Sequence, residues 1–204
     1  MLEAASLYAI TPDAEPDAVL ELVGAVLRGG ADVVQLRHKT LARGRLLELA
    51  VELASLVHRA GAVFIVNDHL DIALLAGADG AHLGTGDLPV EAARRVAGAG
   101  FLLGASASTP EVARAAVAAG ADYLGAGPAF ATAIKPDKAV IGPPGVALVA
   151  RAVMVPVFAI GGIDAGNVGE LVAAGIRRAC FIRGLADAVD PERAARLLKS
   201  KLAA

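Results

Sequence analysis

Two carboxylates in this chain each close an apolar run. Val63, Phe64, Ile65 and Val66 lead straight into Asn67-Asp68, and after a helix-like segment the run at 80–84 leads into Thr85-Gly86-Asp87. If those runs are neighbouring parallel strands, Asp68 and Asp87 open on one rim, where their oxygens suit a hard divalent cation such as Mg²⁺. Taken singly, either aspartate would serve as well as a helix N-cap. A second constellation stands upstream, in Gln35-Leu36-Arg37-His38-Lys39. On a strand the alternate residues Gln35, Arg37 and Lys39 face one way, and two cations with an amide make an anion site. The competing reading is that the cations neutralise carboxylates inside the fold.

Further along, Gly104-Ala105-Ser106 offers a hydroxyl to a phosphate, with Ser108 or Thr109 left to cap the helix that begins near Pro110. The paired glycines Gly161-Gly162 would let a phosphate approach the backbone closely. Between them runs a long loop, from Gly127-Pro128 to Gly145, which reads as a lid carrying Lys135. The sequence holds a single glutamine, Gln35, and two asparagines, Asn67 and Asn167. Such scarcity of amides fits a hot environment or a biased genome, and draws attention to those that remain. Of the four histidines, His38 and His82 read as structural or flanking, His58 as helical, and His69 as near the rim.

Positioning these residues together is the task of the elements around them. Strand-like runs are expected at 6–11, 32–39, 63–68, 80–84, 102–106, 123–127, 157–161 and 179–183, with helical periodicity at 17–28, 46–60, 90–97 and 110–119. Gly-Ala-Asp turns recur at 30–32, 77–79 and 120–122. Alternation of this kind means parallel βαβ units, and eight of them predict an α/β fold, a single (β/α)₈ TIM barrel spanning residues 1–204 as one domain. The open doubly wound sheet is disfavoured because Thr11-Pro12-Asp13, not a glycine-rich turn, follows the first run.

Composition narrows the function classes. Lys and Arg number 19 against 21 Asp and Glu, so no basic field invites nucleic acid or an anionic membrane. Glu3 stands where a signal peptide would be cationic, and the longest apolar candidate, 146–160, is interrupted by Arg151 and Pro156. One cysteine, Cys180, allows no intrachain disulfide and reads as core. The expectation is a cytoplasmic protein that acts on small phosphorylated molecules, with homo-oligomerisation left open.

These stretches together resemble the thiamine-phosphate synthase (thiamine-phosphate pyrophosphorylase) family. The resemblance rests on VQLRHK at 34–39, VNDHLDIALLAGADGAHLGTGDLP from Val66, the GAS at 104–106, ADYLGAGPAF with Thr132 and Lys135, and VPVFAIGGI at 155–163. It implies a transferase of thiamine biosynthesis that couples hydroxymethylpyrimidine diphosphate to hydroxyethylthiazole phosphate. It implies Mg²⁺ on Asp68 and Asp87. Gln35, Arg37, Lys39, Asn67, Ser106 and Lys135 would hold the pyrimidine diphosphate, with Arg37, Lys39, Ser106 and Lys135 assisting departure of pyrophosphate. Thr132, Ile134, the Gly161-Gly162 turn, Ile182 and Arg183 would form the thiazole phosphate side.

The sequence departs from the family pattern at Ile134, where a threonine is usual in the lid, at Arg183 in place of a serine, and at Ser108 in place of a histidine. A thiazole tautomerase of the same pathway is the near alternative, although Gly127-Pro128 stands where its proton-transfer histidine is expected. A non-catalytic phosphate-binding barrel is the alternative from another class.

Overall fold

The structure, a computed structural model, describes residues 2–132 and 139–204. Eight parallel strands close in sequential order into a barrel, β8 pairing back to β1. They are β1 (Leu7–Ile10), β2 (Val33–Leu36), β3 (Val63–Asn67), β4 (Gly80–Leu83), β5 (Leu102–Ala107), β6 (Tyr123–Ala126), β7 (Val157–Ala159) and β8 (Ala179–Phe181). The connecting helices are α1 (Pro16–Arg28), α2 (Arg43–Arg59), α3 (Leu70–Leu75), α4 (Val90–Ala97), α5 (Pro110–Ala118), α6 (Gly142–Arg151), α7 (Val168–Ala173) and the short α8 (Arg183–Ala186), followed by α9 (Pro191–Ala203). The expected (β/α)₈ barrel is the observed architecture.

Each strand divides its side chains by period two. Outward residues such as Leu7, Phe64, Leu103 and Phe181 pack under the helices, while Tyr8, Val33, Ile65, Tyr123, Phe158 and Cys180 fill the interior. Glycines on the inward positions make room for the large rings. Gly104 sits in register between His82 and Tyr123, and a Cβ there would lie 2.2 Å from the Tyr123 ring.

The Gly-Ala-Asp turns repeat at the opposite end of the barrel from the candidate site. Asp32 accepts from the Ser6 and Leu7 amides, Asp79 from the Phe64 amide, and Asp122 from the Leu103 amide. Each therefore ties an even-numbered strand to its predecessor, and each has a cationic or imidazole partner in Lys199, His58 or Arg94. Before β8 the pattern changes, with Arg178 donating to the Glu3 carbonyl. The ladders are shorter than the apolar runs. β2 stops at Leu36 and not Lys39, and β8 stops at Phe181, so Arg183, expected at a strand end, instead opens α8.

Candidate active site

At the C-terminal ends of the strands lies a cavity of about 910 Å³. Gln35, Arg37 and Lys39 line it although only Gln35 is within β2, because the chain stays extended enough past the ladder to keep the alternation. Arg37 donates to Asp13 at 2.9 Å, and the Thr11 hydroxyl fixes its backbone by accepting from the Arg37 amide and donating to its carbonyl. Lys39 is paired with Asp68. Asp13 is held below the usual carboxylate range: burial would raise it, but the Lys39 amide and the Arg37 guanidinium outweigh that effect.

Neither rim aspartate is a helix cap. The N-cap of α3 is His69 and that of α4 is Pro89. Asp68 instead takes a left-handed backbone, φ 63°, a conformation that aspartate tolerates better than most residues. Asp87 closes its own loop by accepting from the Gly84 amide at 2.8 Å. The two carboxyls lie near enough for each to feel the charge of the other. Burial raises both, yet Lys39 brings Asp68 below its ordinary value, while burial and the neighbouring Asp68 carboxyl push Asp87 above its own. Two adjoining carboxyls raise the cost of holding negative charge side by side, and a cation placed between them would relieve it.

The floor of the cavity is a hydrogen-bonded row. Gln35 Nε2 donates to the Tyr8 hydroxyl at 2.7 Å, Tyr8 and Tyr123 hydroxyls are 3.0 Å apart, Tyr123 lies 3.3 Å from His82 Nδ1, and His82 Nε2 lies 3.1 Å from Ser106 Oγ. Phe158 meets both tyrosine rings edge-on, with centroids at 5.3 and 6.0 Å. Burial pushes both phenols well above their ordinary values, so each keeps its proton.

The far wall is the glycine turn. Gly161 and Gly162 have φ of +101° and +64°, and a Cβ on either would strike the 128–131 segment, at 2.8 Å from the Pro128 Cα and 2.4 Å from the Ala131 carbonyl oxygen respectively. Only glycine fits both the backbone and the space. Asn167 clamps the turn by donating to the Gly162 carbonyl at 2.7 Å. Thr132, Ile182 and Arg183 complete this wall.

A family model described as thiamine monophosphate synthase matches residues 7–185. The chain belongs to that family. It is 46% identical to the thiamine-phosphate synthase of Methanoculleus marisnigri over 90% of this chain and 88% of that protein. To the thiamine-phosphate synthase of Thermosynechococcus vestitus it is 43% identical over 98% of this chain, which spans 57% of that longer protein. In architecture it is similar to thiamine phosphate pyrophosphorylase from Pyrococcus furiosus, with a TM-score of 0.89 and 35% identity over 98% of this chain and 96% of the other.

Against this thiamine monophosphate synthase framework, every candidate residue within the described part of the chain faces the one cavity: Asn67, Asp68, Asp87 and Ser106 on the cation side, and Thr132, Gly161, Gly162, Ile182 and Arg183 opposite. Ile134 and Lys135, and with them the expected lid cation, lie outside the described residues. Thr109, not Ser108, caps α5, which leaves Ser106 to the cavity. The expectation for His82 needs correction: it is a cavity wall residue bonded to Ser106. Asn167, one of the scarce amides noted in the sequence, lines the cavity as well, and so do Tyr8 and Tyr123, which the sequence reading did not single out. A signal was present, since the chain has only two tyrosines and both stand inside apolar strands, where a buried hydroxyl must find a partner.

Proposed function

We propose that this member of the family is a thiamine-phosphate synthase: it joins hydroxymethylpyrimidine diphosphate to hydroxyethylthiazole phosphate and releases pyrophosphate. The observation that carries the reading is the Asp68–Asp87 pair beside Arg37 and Lys39, facing the Gly161-Gly162 turn across one cavity. One wall suits a metal-bound diphosphate and the other a phosphate on the acceptor.

The donor set fits Mg²⁺. Among the described residues no group of three or more His, Cys, Asp or Glu is arranged to hold a metal, and Mg²⁺ characteristically needs only one or two carboxylates, with substrate phosphates and water completing its shell. When bound, Mg²⁺ supplies charge neutralisation on the departing diphosphate. Asp68 and Asp87 would hold it. Arg37, Lys39 and Ser106 would bind the diphosphate oxygens, and Gln35 and Asn67 the pyrimidine. As the methylene C–O bond breaks, its electron pair leaves with pyrophosphate. The thiazole nitrogen lone pair then forms the new C–N bond. No strong base is required, so preorganised charge is the main contribution of the protein.

Residues 1–204 would act as one barrel domain on small phosphorylated molecules in the cytoplasm, without nucleic acid or membrane. Among the described residues no helix is long and apolar enough to cross a membrane. The test is incubation with both phosphorylated halves and Mg²⁺, following thiamine phosphate and pyrophosphate. Asp87→Ala should lower turnover by at least ~100-fold with folding retained. Unchanged turnover at limiting Mg²⁺ would remove the metal assignment, and no product from the parent chain would remove the synthase reading.

A further inference from the structure

We propose that the row from Gln35 through Tyr8, Tyr123 and His82 to Ser106 is a one-way hydrogen-bond chain that fixes the Ser106 hydroxyl as a donor into the cavity. Tyr8, Tyr123 and His82 would thus be positioning residues for the diphosphate end of the site. The proposal rests on the synthase reading for its ligand, but its geometry stands without it.

The direction is set at the head of the row. A glutamine amide nitrogen has protons to give and no lone pair to offer, so the Tyr8 oxygen accepts at 2.7 Å. Tyr8 then has one proton to place, and the other polar partner its hydroxyl meets among the described residues is Tyr123, at 3.0 Å. Were Tyr123 to donate instead, the Tyr8 proton would be buried without an acceptor, an unfavourable arrangement. Tyr123, having accepted, gives its own proton to His82 Nδ1 at 3.3 Å. A neutral imidazole with Nδ1 as acceptor carries its proton on Nε2, and that proton is directed to Ser106 Oγ at 3.1 Å.

The Ser106 proton is not used within the row. Ser106 lines the cavity, and a hydroxyl whose lone pair is already engaged turns its proton to the ligand, as an anionic phosphate oxygen requires. Neighbouring glycines make the row possible. The Tyr123 ring occupies the space above Gly104, and a Cβ on Gly125 would come within 3.3 Å of the His82 ring. Turning the Gln35 amide over would reverse every bond and leave Ser106 donating to His82, with lone pairs facing the anion.

The two directions differ in the His82 tautomer, which long-range ¹H–¹⁵N NMR of ¹⁵N-histidine-labelled protein reads directly. The chain has four histidines, and His82→Gln assigns the signal. The expected result is an Nε2–H tautomer in the parent and a mixture of tautomers in Tyr123→Phe, which keeps the ring and removes the donor. An Nδ1–H tautomer in the parent would overturn the proposal. In turnover, Tyr123→Phe and Ser106→Ala should each lower kcat/KM about 10-fold, and the double variant should be little worse than Ser106→Ala alone. Losses that multiply would show that the two residues act independently and overturn the coupling. If the parent yields no thiamine phosphate, the synthase reading fails, while the tautomer still decides the direction of the row.

Discussion

Asp68 and Arg183 show how differently single residues carry information. Asp68 follows an apolar strand at a rim, and its sequence position was enough to suggest a ligand. Its left-handed backbone, φ 63°, could not be read in advance, because aspartate occupies that region only when the turn demands it. Arg183 was legible as a departure from the family pattern, and the structure puts it on the cavity wall by the Gly161-Gly162 turn. There a guanidinium would replace a hydroxyl as partner of the acceptor phosphate. Arg183→Ser should therefore raise KM for the thiazole phosphate about 10-fold and leave KM for the pyrimidine diphosphate nearly unchanged. Equal changes in steady-state kinetics would place the side chain outside the acceptor site. The partners of the tyrosines and His82 stayed hidden for a physical reason: a strand pattern shows that a polar side chain points inward and must be bonded, but not which residue across the barrel it meets.

Among the elements, the eight strand–helix units were legible from periodicity, and their ladder ends were not. Apolar alternation continues through Arg37 and Lys39 after the β2 hydrogen bonds have stopped, since side-chain direction needs an extended backbone and no neighbour. The Gly-Ala-Asp turns were visible as helix stops, but their carboxylates also staple adjacent strands. At Asp32, burial would raise the carboxyl, but Lys199 and the Ser6 and Leu7 amides outweigh it and hold it below its ordinary value. A depressed folded-state value means that its contribution is fully present above the unfolded value, about pH 4, and is lost as pH falls through the folded value. Asp32→Asn should cost about 1–3 kcal/mol at neutral pH, and its denaturation midpoint should converge on that of the parent in acid. A constant gap across that pH range would contradict the assignment.

For the whole molecule, the site borrows from nearly every strand, so a ligand there ties the rim together. Pyrophosphate with Mg²⁺ at 100 times its Kd should add ~2.7 kcal/mol. For a chain of this size that is a rise in Tm of roughly 5–10 °C, reversed by a chelator and absent in Asp87→Ala. An unchanged thermal transition with bound pyrophosphate would argue against a site spanning the rim. One contact of the barrel base also sets an order in time. Lys199 on α9 reaches back to the Gly30 carbonyl and to Asp32, across 169 and 167 residues of chain, and Glu192 reaches Arg28 on α1. Because α9 follows every strand, these bonds cannot form until the whole barrel has left the ribosome. The nascent chain must therefore carry its first strands without their final fastening, and contacts this distant in sequence make closure a slow, late event in synthesis.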